Sequence, residues 1–366
     1  MPPILRRVLV LSHTYLQPAH RGKLRALAAR GLEVTVAIPQ RWREPWFGKP
    51  IDVAWERQGG LEVFPLPSSG TVKYSARALR GLLRDRRPDL LQIEEEPGTI
   101  AARQAFGAAR RLGIPVVLLT HQNVEPNHGW LAGWSERRML RRLSGLVAAS
   151  DLAGTLVRGA APNLPIAVIP QLGALAPHEP HHIPHEGLAI GFVGRLVPHK
   201  GLDNLFHALA LQRAAKWRLT IVGDGPERER LEQLATELRL AARVRWTGGL
   251  PAEQIASLWP DLDVLVQPSR ASPEWRETNG QVLMEAMANE VAVLGTDSGV
   301  IPELIGDAGI VVPDGDLQAL GNAMEQLGDS GKRRGLAHAA RARALRLYSD
   351  DAIAERTLQF WQQVVK

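Results

Sequence analysis

The sequence predicts an α/β protein of doubly wound parallel sheets, in two domains joined by a linker. Three observations carry that expectation. The chain has 366 residues, more than one ordinary domain needs. Short apolar runs suited to buried parallel strands alternate with helical stretches through both halves. A proline- and histidine-rich stretch without apolar period, "PQLGALAPHEPHHIPHEG", separates the two series.

The first half opens with a strand, "RRVLVLSH", then an amphipathic helix, "AHRGKLRALAARG", which Gly31 is placed to end. "LEVTVAIP", "DLLQIEEEP", "IPVVLLTHQN" and "LSGLVAAS" follow as buried strands, with helical stretches such as "IAARQAFGAARRLG" between them. The second half repeats the logic. "GLAIGFVGRL", "WRLTIVGDGP", "RVRWTGG", "LDVLVQPS" and "VAVLGTDSG" read as strands, "GLDNLFHALALQ" and "ERERLEQLATELRL" as helices. The tail, "DDAIAERTLQFWQQVVK", is an amphipathic helix that needs an apolar partner, expected on the first domain. The expected boundaries are 1–172 for the first domain, 173–187 for the linker, 188–348 for the second domain and 349–366 for the returning helix.

Composition narrows the function classes. With 45% hydrophobic and 22% charged residues, the chain can fill two ordinary cores. It has no cysteine, which excludes disulfides and thiolate metal sites. No run approaches the ~20 apolar residues that span a bilayer. The basic, then apolar start "MPPILRRVLVLSH" is too short for a secretion signal and reads as the first strand. The net charge of +6 suits anionic substrates or anionic lipid surfaces, and no nucleic-acid recognition module is visible. A cytoplasmic location is expected. Four linker histidines, His178, His181, His182 and His185, read as solvated rather than metal-binding, because proline breaks their spacing and no carboxylate-rich or cysteine framework surrounds them.

In open parallel sheets, ligands bind beyond the carboxyl ends of the strands. "GRLVPHKG" places Arg195 and Lys200 there among glycines, as a diphosphate site or as two solvated loop charges. In "ETNGQVLMEAMANE", Glu285 is the single charge from Val282 to Ala288, a nearly all-apolar helical stretch. Such a carboxylate is costly unless partnered. A ribose offers it two hydroxyl donors; a core arginine is the alternative. Asn279 is a good N-cap, Gly280 permits close backbone approach, and the helix start would attract phosphate.

Taken together, these motifs resemble the retaining GT-B glycosyltransferases of family four (glycosyltransferase group 1). The resemblance rests on Glu277 and Glu285 in "ETNGQVLMEAMA", on "GRLVPHKGLD", on "VGDGP" at 222–226, on Pro268–Ser269 and on "GVIPEL", in that family's order and spacing across essentially the whole second domain. It implies two Rossmann-like domains facing a cleft. It also implies retaining, metal-independent transfer of a sugar from a UDP- or GDP-linked donor to a glycan, lipid-linked or small-molecule acceptor, with no cofactor. Arg195 and Lys200 would neutralise the donor diphosphate, Glu285 would hold the ribose, and Glu277 would contact the transferred sugar. Gly194, Gly248, Asn279, Gly280 and Gln281 complete the implied donor set. His121, ending "VVLLTH", would act near the sugar and phosphate.

The acceptor side is implied at His13, His20, Arg21 and Glu96. Two departures stand out: Asn279 occupies a place where the family commonly has an aromatic residue, and the first loop lacks the usual glycine pair. Glu94, Glu95 and Glu96 could bind sugar hydroxyls or face water. A nucleotide-sugar epimerase of the same architecture and a non-catalytic subunit of a glycan-assembly complex are the alternatives; keeping Arg195, Lys200, Glu277 and Glu285 together disfavours the latter. Finally, "WLAGWSERRMLRRLSG", residues 130–145, sets Trp130 and Trp134 one helical turn apart, followed by Arg137, Arg138, Arg141 and Arg142. It reads either as peripheral contact with the anionic inner membrane face or as a surface helix packed on its own sheet through Leu131, Met139, Leu140 and Leu143.

Overall fold

The computed structural model describes residues 5–42, 51–69, 73–125, 129–212 and 216–365. Contacts divide the chain into two units: residues 1–173 with 350–366, and residues 174–349.

The first unit is built on β1 (Arg7–Leu11), β2 (Glu33–Pro39), β5 (Glu56–Gln58), β6 (Leu61–Leu66), β9 (Leu90–Ile93), β10 (Val116–Thr120), β11 (Gly145–Ala148) and β12 (Ile166–Val168). The two-residue pairs β3 (Arg41–Trp42) with β4 (Ile51–Asp52) and β7 (Ser68–Ser69) with β8 (Lys73–Tyr74) lie outside that sheet. The sheet order is β12-β11-β10-β9-β1-β2-β6-β5, parallel except at the β5 edge. Helices α1 (Gly22–Ala29), α2 (Ala76–Arg86), α3 (Ile100–Arg111), α4 (Trp130–Leu140) and α5 (Asp151–Ala160) connect the strands. Strands such as Val116–Thr120 are buried at every residue, which is why they read as continuous apolar runs rather than alternating ones.

The strand order reverses between β1 and β9, so the loops after those two strands flank the first unit's crevice. The C-terminal helix α13 (Asp350–Val364) belongs to this unit. Ile353, Ala354, Phe360 and Trp361 join the core made by β1, β2 and α1. Trp361 is fully buried and its indole donates to Gln92 Oε1 at 2.6 Å, so its polar atom is satisfied inside.

The second unit has one six-stranded parallel sheet of β13 (Leu188–Val193), β14 (Trp217–Val222), β15 (Val244–Gly248), β16 (Val264–Gln267), β17 (Ala292–Thr296) and β18 (Ile310–Val312). Its order is β15-β14-β13-β16-β17-β18, with the reversal between β13 and β16. Helices α6 (Leu202–Leu211), α7 (Arg228–Glu237), α8 (Ala252–Ala256), α9 (Gln281–Ala288), α10 (Ile301–Ile305), α11 (Leu317–Gly328) and α12 (Ser330–Leu347) accompany it. One core gathers Phe192, Leu205, Phe206 and Ile221; the other gathers α9 with Trp259, Val293 and Leu304. Among the described residues, no helix is long and apolar enough to cross a membrane.

Candidate functional site

The reversal between β13 and β16 brings two loops together, residues 194–201 and 268–280. These carry Gly194, Arg195 and Lys200 on one side and Glu277, Asn279 and Gly280 on the other. Their approach needs glycine. Gly201 has φ +66°, and a Cβ there would fall 1.9 Å from Pro268 O. The "VGDGP" turn acts as a bracket for the Arg195 loop: Leu196 N donates to Asp224 O and Glu227 N to Leu196 O, at 2.9 and 3.1 Å. Gly223 passes so close that a Cβ would lie 1.8 Å from Gly194 O. Gly223 N in turn donates to Gly248 O at 2.8 Å, which sets Gly248 beside that bracket.

Inside this frame, Lys200 Nζ donates to Glu277 Oε2 at 2.6 Å. Ser269 Oγ donates to the same oxygen at 2.8 Å, and Gln267 Nε2 reaches it at 3.5 Å. Both side chains are mostly buried, Lys200 at 12% and Glu277 at 6% exposure. Burial works to raise the Glu277 pKa, but Lys200, Ser269 and Gln267 outweigh it and hold the carboxyl below its usual range. Glu277 is therefore an ionised, internally held acceptor, able to take hydrogen bonds from hydroxyls.

Glu285 is different. Gln281 Nε2 donates to it at 3.1 Å, and among the described residues no cation pairs with it. Burial pushes its carboxyl above the usual range. The core-arginine alternative is thereby excluded, and the carboxylate is left underpartnered on α9. Asn279 does not cap that helix. Gly280 stands at the cap with φ +54°, a left-handed backbone that favours glycine, and a Cβ there would also meet Leu304 Cδ1 at 2.2 Å, while Asn279 is exposed before it.

Sequence reasoning missed three neighbours. Trp275 packs on His199 at a 35° tilt with ring centroids 3.9 Å apart, and Lys200 Nζ lies 5.6 Å from the same indole centroid. Burial, then Lys200 and Arg195, push the His199 pKa down, which keeps the ring neutral; its Nε2 is buried without a hydrogen-bond partner. Arg270 fixes the second loop to α6 through Asp203 at 3.0 Å and Asn204 at 2.7 Å. The available signals were the position of His199 between Arg195 and Lys200, and a tryptophan in a polar loop.

In the first unit, the loops after β1 and β9 hold the residues assigned to the acceptor side. His13 Nδ1 contacts Glu95 at 3.0 Å, Tyr74 donates to the same carboxylate at 3.2 Å, and the His13 ring stacks on Trp42. Arg21 corrects its assignment. It is buried and spends its donors on Tyr15 O, Leu16 O and Glu56, so it braces its own loop. His20 Nδ1 is taken by Thr14 O at 2.9 Å. Glu94 neither faces water nor offers itself to a sugar: it is buried against Lys23 at 2.8 Å and Gln171 at 2.9 Å. Glu96 accepts from Thr120 Oγ1 and from His121 N at 2.5 and 2.8 Å, and so shapes the loop that presents His121. His121 Nε2 is buried with no hydrogen-bond partner.

Comparison with known proteins gives the family and the fold. Residues 176–343 match the family described as glycosyl transferases group 1, and residues 18–171 match a glycosyl transferase 4-like domain. The chain belongs to the group 1 glycosyltransferases of GT-B fold. It is 29% identical over 309 residues to a GDP-mannose-dependent alpha-(1-6)-phosphatidylinositol monomannoside mannosyltransferase of Mycolicibacterium smegmatis, covering 73% of this chain and 80% of that one. It is 28% identical to a 2-deoxystreptamine N-acetyl-D-glucosaminyltransferase of Streptomyces fradiae, covering 93% and 89%. Among solved structures, sucrose-phosphate synthase from Thermosynechococcus elongatus superposes with TM-score 0.74 at 19% identity, covering 98% and 99%. Anabaena HepE in complex with UDP superposes at 0.72 and 19%, covering 98% and 100%.

Proposed function

We propose that this glycosyltransferase moves a sugar from a UDP- or GDP-linked donor to a hydroxyl of a glycan, lipid-linked or small-molecule acceptor, with retention of anomeric configuration and without a metal. The observation that carries the reading is the buried Lys200–Glu277 pair at the sheet reversal, with an underpartnered Glu285 on the helix that follows. Glu285 takes the ribose hydroxyls, and Glu277 takes hydroxyls of the transferred sugar. The bond from the anomeric carbon to the diphosphate oxygen breaks, and a bond to the acceptor oxygen forms on the same face. The acceptor proton passes to the departing phosphate. Arg195 and Lys200 neutralise that leaving charge. His121 serves the sugar and phosphate through its Nε2, and Gly194, Gly248, Asn279, Gly280 and Gln281 complete the donor contacts.

A thermal-shift panel of nucleotide sugars tests the donor class. A true donor at 100 times its Kd adds about 2.7 kcal/mol of stability. With donor and acceptor together, nucleoside diphosphate release is expected only when acceptor is present, and proton couplings of the product should match the donor's anomer. Acceptor-independent release of free sugar would favour the epimerase reading, and an inverted product would end the retaining one.

The same proposal places the protein in the cytoplasm with peripheral contact to an anionic membrane face through 130–145. Met139, Leu140 and Leu143 are buried in the first unit's own core, whereas Trp130 and Trp134 are 77% and 53% exposed. The side chain of Leu131 lies outside the described residues. Arg137, Arg138, Arg141 and Arg142 are exposed, and among the described residues no carboxylate pairs with them. Arg110 and Arg138 crowd Arg142 enough to lower its pKa. Unneutralised arginines beside exposed indoles suit an anionic headgroup layer. Co-sedimentation with phosphatidylglycerol vesicles is expected at low salt, weakening at high salt and absent with phosphatidylcholine. Replacing the four arginines with glutamine should abolish it; undiminished binding by that variant would sink the membrane contact.

A further inference from the structure

The histidines of the 174–187 stretch divide into two kinds. His178 and His181 are exposed, as their sequence setting suggests. His185 instead turns inward: its side chain is 10% exposed, and neither ring nitrogen has a hydrogen-bond partner. Two buried, unpartnered imidazole nitrogens are costly unless something occupies one of them.

The group they face is Asp263, whose side chain is 2% exposed at the start of β16. His185 Nε2 lies 3.5 Å from Asp263 Oδ2, and His182 Nε2 lies 3.6 Å from Oδ1. The two imidazoles meet edge to face with centroids 5.4 Å apart. One donor atom from each of the three side chains lies within 4.8 Å of the others. Backbone fastening holds the arrangement in place, with Ile183 N donating to Pro260 O at 2.8 Å. These separations are too long for good hydrogen bonds. The two histidine–carboxylate distances are close to the edge of a tetrahedron with metal–ligand bonds of about 2.0–2.1 Å, which is about 3.3 Å.

We infer that His182, His185 and Asp263 form a site for a divalent transition cation, zinc by preference, which clips the 182–185 segment to the foot of the second unit's sheet. Two imidazoles and one carboxylate form a hard-to-borderline donor set suited to zinc, with the half-exposed His182 side leaving a fourth position for water. Asp263 is already oriented for this role. Arg333 Nε forms an ion pair with Oδ1 at 3.0 Å and Ala189 N donates to Oδ2 at 2.8 Å, which together hold the carboxylate in place. A carboxylate has about four lone-pair positions, so those two contacts leave others for a metal. The site sits at the N-terminal ends of β13 and β16, opposite the ends that carry Arg195 and Glu277, and is independent of sugar transfer.

The test uses the full-length, untagged protein stripped with chelator. Zinc is titrated against a chromogenic competitor, and cobalt is used as the spectroscopic probe. One equivalent is expected to bind with micromolar or tighter Kd, to raise Tm, and to give the intense visible absorption of four-coordinate cobalt with nitrogen and oxygen ligands. His182→Gln, at an exposed position, and His185→Gln should each weaken zinc by about tenfold or more and remove the Tm rise. His181→Gln should bind as wild type. Absence of a bound equivalent in the wild type would overturn the site, as would binding that survives the loss of both His182 and His185 or that falls equally in His181→Gln.

Discussion

Lys200→Ala is expected to lower turnover by about a hundredfold to a thousandfold, the scale of a lost charge-stabilising contact on a leaving group. Arg195→Ala should fall within about tenfold to a thousandfold on the same argument. The two variants should part company in stability. Arg195 is exposed, so its loss should cost far less stability than the loss of Lys200. Removing Lys200 leaves Glu277 buried without its cation, at a cost of about 3 kcal/mol or more. The pH dependence gives the sign. In the wild type the Glu277 pKa is held below its unfolded value, so its contribution is present above about pH 4.3 and is lost as pH falls through the folded value. Without Lys200, the main opposition to burial is gone and the folded pKa rises, so the variant's penalty is full at neutral pH and relaxes on acidification. Urea unfolding of both proteins between pH 3 and pH 7 should therefore show a gap that narrows toward low pH (range chosen to bracket the carboxylate pKa). Calorimetry separates binding from chemistry: nucleoside affinity should hardly change while nucleoside diphosphate affinity falls. Equal losses for both ligands would refute the diphosphate assignment.

The alternation of buried runs and helical stretches was legible because parallel strands covered on both faces must be apolar throughout. Glu285 was legible for the opposite reason, as one charge in a helix with no room for it. What the local sequence could not express was pairing between loops set side by side by the strand order. Lys200 meets Glu277 only because β13 adjoins β16, and nothing near either residue encodes that neighbour. The same holds for His185 and Asp263, where the carboxylate that the imidazole faces comes from the start of β16 and not from the histidine-rich stretch itself. Arg21 misled for a related reason. It reads as a loop cation beside two histidines, yet the short helical turns after β1 present their carbonyls inward and draw its guanidinium with them. Asn279 misled by one position: the backbone at the cap is left-handed, φ +54°, which favours glycine, and the Leu304 side chain of a later helix fills the space a Cβ would take.

Glu285→Gln should weaken nucleotide-sugar and nucleoside diphosphate binding by about tenfold to a hundredfold, since hydrogen bonds to a charged group are worth about 1.5–3 kcal/mol. The same change should leave the protein as stable as before, or more so, at neutral pH. The reason is the raised pKa. Burial lifts the folded value above the unfolded one, and Gln281 only partly opposes it. A group shifted that way contributes most below its unfolded pKa, and that contribution is lost as pH rises through the folded value. At neutral pH the buried, underpartnered carboxyl group is therefore a liability to the empty protein, kept for what it binds. Glutamine has nearly the same shape, keeps an acceptor oxygen and carries no charge, so it removes the liability along with the charged acceptor. A Tm equal to or above wild type at neutral pH, with any advantage fading below about pH 4, together with weakened binding by calorimetry, is the expected pair of results. A structural carboxylate would give the reverse pair, a lower Tm with unchanged binding, and would remove Glu285 from the donor site.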